Sequence, residues 1–272
     1  MLAASVTYSA PLLMRSGLRL PALGTEFRAH PGTPMLGVYD DPIDMGRGAT
    51  QGWASTHFRD NPGFKLETLA LPLDMLAGRL PGAGAQLMER LREYRHMAMW
   101  VQGIRAESVG RVRPALGGRS AIHYSFHRQD MERLVAGMRT LADMHFAAGA
   151  RAVLPCIHGM PYALGPDEVH RLDDAPRDPR AYVAILSHLF GGCVMGRDAG
   201  SSVCDGEGRV HDHEALFVTD ASVIPTNLGV NPQQTIMALA RLIAERALER
   251  GALPRSSMMR AARDDPGRVA SA

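Results

Sequence analysis

Residues 130–148 constrain this chain most. Met131, Leu134, Val135, Met138, Leu141 and Ala142 recur at the spacing of one helical face, which predicts a long amphipathic helix with a single apolar stripe. Such a stripe has to be buried against another layer. A second long helix is predicted from Pro232 to about Glu249, with Ile236, Leu239, Ala240, Ile243 and Ala247 inside and Arg241, Glu245 and Glu249 outside. Shorter pieces surround them. Residues 35–39, 64–71, 97–106, 121–126 and 215–219 are strand candidates, 181–186 is a short apolar run, and 85–94 has helical spacing. A turn or two of helix ends near Gly17. Residues 21–63, rich in Pro, Gly and Asp, otherwise read as irregular, and 158–180 as loop. The segment from Arg255 onward reads as a disordered tail. Several strands with two long helices give an α+β class.

Composition narrows the function classes. The chain has 272 residues, 46% hydrophobic and 21% charged, enough apolar side chain for a globular core. Its net charge is +2 and the charges are mixed along the sequence, so no basic stripe marks a nucleic-acid surface. Lys65 is the only lysine, a bias that reads as the signature of a GC-rich genome. The cysteines Cys156, Cys193 and Cys204 are too few and odd in number for a disulfide framework; they suit a reducing, cytoplasmic setting. No apolar run approaches the ~20 residues of a membrane span. The mildly apolar opening lacks the basic start of a signal peptide.

Two segments carry candidate chemistry. The first runs from His188 through Gly191, Gly192 and Cys193 to Met195 and Gly196. The second runs from Asp220, Ala221 and Ser222 through Pro225, Thr226 and Asn227 to Gly229, Asn231, Pro232, Gln233 and Gln234. Read locally, His188 follows an apolar run and precedes a glycine-rich turn, where function tends to collect; a turn-bound histidine explains the same pattern. Asn231-Pro232 is a helix-start signal, with Asn as N-cap and Pro at the first helical position. A helix N-terminus also offers free N–H groups and partial positive charge to an anionic ligand. Asp220 ends a strand candidate, where ligands are met in parallel sheets, although a turn-forming Asp is common.

Taken together, the two segments resemble the C-terminal signature of the glucose–methanol–choline (GMC) oxidoreductases over about residues 181–248. A weaker likeness covers residues 3–17, where Ser5 stands in place of the glycine the family has after its strand. The resemblance implies FAD as cofactor and an alcohol as substrate, with His188 as catalytic base and Asn231 hydrogen-bonding the substrate oxygen. It implies that Asp220 and Ala221 lie along the ribityl–pyrophosphate side of FAD, and that Asn231, Pro232 and Gln233 meet the flavin pyrimidine. It divides the chain into a flavin-domain crossover (1–20), a substrate-binding domain with an antiparallel sheet and helices (21–180), a C-terminal segment completing an FAD-binding α/β domain (181–250) and a tail (251–272).

A complete family member opens with a glycine-rich dinucleotide fold, and no such motif is found here; Gly82 and Gly84 lack both the third glycine and the preceding strand. The chain alone is therefore expected to bind FAD weakly or not at all, and to be inactive without a Rossmann-type FAD-binding part. A partial gene product, a subunit completed by a separate FAD-binding chain and an inactive remnant all stay open. Two rivals are weighed. Cys156 and His158 with His211 and His213 could form metal-ligand pairs, but their spacing fits no common zinc pattern, so no metal is assigned. Leu69, Leu71, Met75, Met97, Met99 and Trp100 could line an apolar-ligand pocket, although such residues more often form core.

Overall fold

The computed structural model describes residues 1–251; the tail expected from residue 255 lies outside them. The strands are β1 (Arg28–Val38), β2 (Ala54–Ser55), β3 (Phe64–Thr68), β4 (Met97–Ile104), β5 (Arg111–Pro114), β6 (Ser120–His123), β7 (Ala152–Leu154) and β8 (Ile185–Phe190). The helices are α1 (Ser9–Arg15), α2 (Leu73–Ala77), α3 (Gly84–Leu91), α4 (Arg128–Ala147) and α5 (Gln233–Glu249). A six-stranded antiparallel sheet runs β2-β3-β4-β1-β7, with β8 also pairing β1, while β5 and β6 form a separate ribbon. The fold is α+β, as the sequence implies.

Strand β1 organises the sheet and was the element hardest to foresee. Residues 35–39 alone are predicted as strand, because Pro31, Gly32 and Pro34 read as breakers; the strand in fact begins at Arg28. A proline cannot donate to a ladder, so it needs a place where no bond is called for. Both prolines have one. Pro31 falls where the β1–β8 register shifts, between His30 and Gly32. Pro34 falls between the stretch paired with β8, ending at Gly32, and the stretch paired with β7, starting at Leu36.

Helix α4 lies across one face of the sheet, and every residue of its predicted stripe is buried there, with Met35, Phe64 and Leu66 opposite. The other face divides in two. At one end Leu36, Val38, Met97 and Met99 pack with Leu71 and Leu76 into a second core. At the other end the face opens at the site described below. A third core joins α1, Phe190, the irregular segment after β8 and Ile243 and Ala247 of α5.

Four expectations are corrected. The apolar run at 181–186 is only partly strand; β8 is Ile185–Phe190, so His188 lies inside a strand, where β1 pairs with it. Residues 215–219 form isolated bridges, Leu2 with Val218 and Arg209 with Phe217, because neither partner continues alongside as a strand. The boundary at 180/181 does not separate sheets, since β8 joins the sheet of residues 21–180. The six apolar residues do not share a pocket: Met97 and Met99 are core, Met75 is exposed, and Trp100 stacks on His145 at 4.0 Å on the opposite face.

Candidate active site

The site starts from a row of residues across the sheet. Lys65 of β3 pairs with Gly103 of β4, Gly103 with Gly32 of β1, and Gly32 with Ile185 of β8. Residues in register point to one face, and the two in the middle have no side chains. The face is open there, leaving a pocket of about 90 Å³ floored by Gly32 and Gly103 and walled by His30, Lys65, His188 and Asn231. Gly103 cannot be replaced cheaply: a Cβ would stand 2.7 Å from His30 Nε2.

His188 is set by β8, whose register places it opposite His30. The two rings stack with centroids 5.8 Å apart. His30 is buried, and its Nδ1 donates to the Ile104 carbonyl at 2.9 Å. Burial first, then the nearby Lys65 and His188, push its pKa down to about 4. His188 is half-buried. Burial and then the Lys65 ammonium hold its ring below the ordinary histidine range, against a smaller upward pull from Glu67. The imidazole is therefore neutral near pH 7 and able to accept a proton. Immediately after β8 the chain turns at Gly191, with φ +79°. A Cβ there would stand 1.7 Å from the Glu26 carbonyl oxygen, so the glycine after the strand is a steric necessity.

The predicted residues come together. His188, Asp220, Ala221, Asn231, Pro232 and Gln233 all line one cleft of about 500 Å³, which shares His188 and Asn231 with the glycine-floored pocket. Their local roles differ from expectation in two places. Asn231 does not cap α5. Its Oδ1 accepts from Lys65 Nζ at 2.5 Å and its Nδ2 donates to Glu67 Oε1 at 2.9 Å, while Pro232 occupies the cap position without a side-chain cap bond. The ammonium and carboxylate on β3 are stronger partners for the amide than the helix N–H groups. Asp220 faces inward to its own chain. One oxygen accepts from the Ser5 N–H and the Ser9 hydroxyl, the other from the Ser222 N–H and hydroxyl. It thereby fixes Ser5 and Ala221 at the cleft wall. Ser5 adopts φ +80°, a conformation favouring glycine, at the position where the resemblance expects one.

Sequence reasoning missed Lys65, Glu67 and His30. Lys65 was visible as the chain's lone lysine, and Lys65 and Glu67 lie two apart on a strand, hence on one face. His30 was hidden among residues read as irregular. The metal rival gains nothing: among the described residues no group of three or more His, Cys, Asp or Glu side chains could hold an ion. Cys193 and Cys204 are core residues, with burial pushing the Cys193 thiol up to about 12, and His211 hydrogen-bonds Ser202 at 2.8 Å.

Residues 107–240 match the sequence profile of the GMC oxidoreductases. The chain carries the C-terminal region of that family. It is 34% identical over 256 residues to an uncharacterized GMC-type oxidoreductase, y4nJ, of Sinorhizobium fredii, covering 93% of this chain and 50% of the relative. It is 27% identical to the long-chain-alcohol oxidase FAO1 of Arabidopsis thaliana, covering 88% of this chain and 34% of the relative. The fold is similar to pyridoxine 4-oxidase from Mesorbium loti, with a TM-score of 0.68 at 20% identity, over 91% of this chain and 51% of that one. The chain thus spans about half or less of the length of these relatives. No helix among the described residues is long and apolar enough to cross a membrane.

Proposed function

We propose that this chain supplies the proton-handling side of a flavin-dependent alcohol oxidoreductase site, with His188 as base and Asn231 as the donor to the substrate oxygen. The observation that carries the reading is the convergence of all six expected residues on one cleft, with His188 and Asn231 at the point where it meets the glycine-floored pocket. The cleft fits the electron-rich edge of a flavin. Helix α5 starts there without a side-chain cap, so its first N–H groups and the positive end of its dipole are available to an anionic edge. Pro232 and Gln233 would meet the pyrimidine, and Asp220 would act on the ribityl–pyrophosphate side through the Ser5 and Ala221 backbone it braces. Acceptance of hydride from the alcohol carbon is the chemistry a bound FAD supplies.

The protein's part follows from its own groups. The neutral His188 ring takes the hydroxyl proton. The Asn231 N–H meets the oxygen as charge develops on it, which lowers the barrier. Relatives named as long-chain-alcohol oxidases support an alcohol as the substrate class. Most of an FAD site would come from a flavin-binding part, in this polypeptide or in a separate chain.

The test is the visible spectrum of the purified chain with FAD, alone and with a candidate flavin-binding chain, followed by alcohol-dependent flavin reduction. His188→Ala should lower the rate of reduction at least about 100-fold with the flavin band retained. Undiminished reduction would end the assignment of the base. A second reading, binding of an apolar ligand without turnover, draws on a separate groove of about 220 Å³ lined by Trp53, Leu66, Trp100, Leu141 and Met144. His188→Ala would leave that binding untouched.

A further inference from the structure

The alternation of β3 sends Phe64 and Leu66 to the core beneath α4 and Lys65 and Glu67 to the opposite face, beside His188. The Lys65 side chain is 4% exposed. A charge this buried is stable only if paired and hydrogen-bonded, and the pairing here is a closed ring of three. Lys65 forms a salt bridge with Glu67 and donates to Asn231 Oδ1; Asn231 Nδ2 donates to Glu67. An amide held this way has one stable orientation. Turning it over would set Oδ1 against the carboxylate and Nδ2 against the ammonium. With its oxygen engaged by Lys65 and one N–H by Glu67, the group left for a ligand is the second N–H.

We propose that Lys65 and Glu67 are positioning residues that lock the Asn231 amide as a hydrogen-bond donor and set opposite charges beside His188. The proposal rests on the reading of His188 and Asn231 as the reacting pair. It explains why an exposed asparagine, free to rotate elsewhere, can be relied on to meet a developing oxyanion with N–H and never with C=O. It also gives the lone lysine a role. The groups facing His188 are His30 from β1, Lys65 and Glu67 from β3, Asn231 from the segment before α5 and Asp220 across the cleft. Of these, Lys65 pulls its pKa down and Glu67 pulls it up, after burial itself.

The experiment is NMR on the full 272-residue chain labelled with nitrogen-15, following the His188 ring through a pH titration and the Asn231 side-chain amide through solvent exchange. Lys65→Met should raise the His188 pKa by about one unit and speed Asn231 amide exchange at least tenfold; Glu67→Gln should lower the pKa by about half a unit. Lys65→Arg, which keeps the charge, should leave both near the wild-type values. Shifts of the same sign in the Met and Gln variants, or unchanged values in both, would overturn the proposal. Where Lys65→Met does not fold, Glu67→Gln decides alone: a lowered pKa supports the proposal, and an unchanged or raised one overturns it. Neither readout needs flavin or turnover, so this result and that of His188→Ala can fail independently.

Discussion

Helices α4 and α5 read alike in the sequence and fare differently in the fold. Each has an apolar stripe at helical spacing. In α4 the whole predicted stripe is buried against the sheet. In α5 only Ile243 and Ala247 are buried; Ile236 and Leu239 pack partly, and Met237 and Leu242 are exposed at 57% and 41%. The pattern of a stripe says which face can be buried; the partner decides how much of it is. The upstream half of α5 has no sheet beneath it because it is a wall of the cleft, which Ile236 and Met237 line. One helix is a pillar of the core and the other is half pillar, half site.

The sharpest way to break this contrast is to truncate matching leucines. Leu134→Ala in α4 should cost about 4 kcal/mol of unfolding free energy, and Leu239→Ala in α5 about 1 kcal/mol, measured by urea denaturation. Equal losses would show that the two stripes are held alike. The next effect is a pH dependence that α4 has and α5, lacking histidine, does not. His145 is buried, its Nε2 donates to the Met35 carbonyl and its Nδ1 accepts from the Tyr39 hydroxyl, and burial pushes its pKa from 6.5 down to about 4. Between those values the unfolded chain binds more protons than the folded one. The contribution is therefore complete above pH 6.5 and is lost as pH falls toward 4, by up to about 3 kcal/mol. His145→Gln should flatten that part of the stability curve, to which His30 adds in the same direction; an unchanged curve would remove His145 from the account. The smallest effect sharpens the contrast at matched chemistry. Met237→Gln should shift the unfolding free energy by less than about 0.5 kcal/mol, where Met138→Gln, at 1% exposure, should be severely destabilising in the same thermal melt.

What the sequence made legible has a common physical character. Helix α4 and the start of α5 depend on neighbours within a few residues, and they are found close to where the spacing puts them. The family signature likewise marks residues that meet at the cleft. The rest depends on distant partners. Pro31 and Pro34 forbid a regular strand by every local rule, yet β1 accommodates them because it changes partners beside them. Asn231 is a good cap by local rule, yet an ion pair on β3 outbids the helix for its amide. Residues 215–219 have strand-like composition and lack a continuous neighbour. Lys65 and Glu67 carry a visible pattern, but only the sheet reveals what faces them.

The glycine row across the sheet has a bearing on how such a site can be inherited. Its floor comes from β1 and β4, its ion pair from β3, its histidine from β8 and its amide from the residue before Pro232. No contiguous stretch contains more than a fraction of it. Grafting the histidine turn or the Asn-Pro motif onto another scaffold would carry letters without the page they are written on. The transferable unit is the sheet itself, with two side chains missing from its middle.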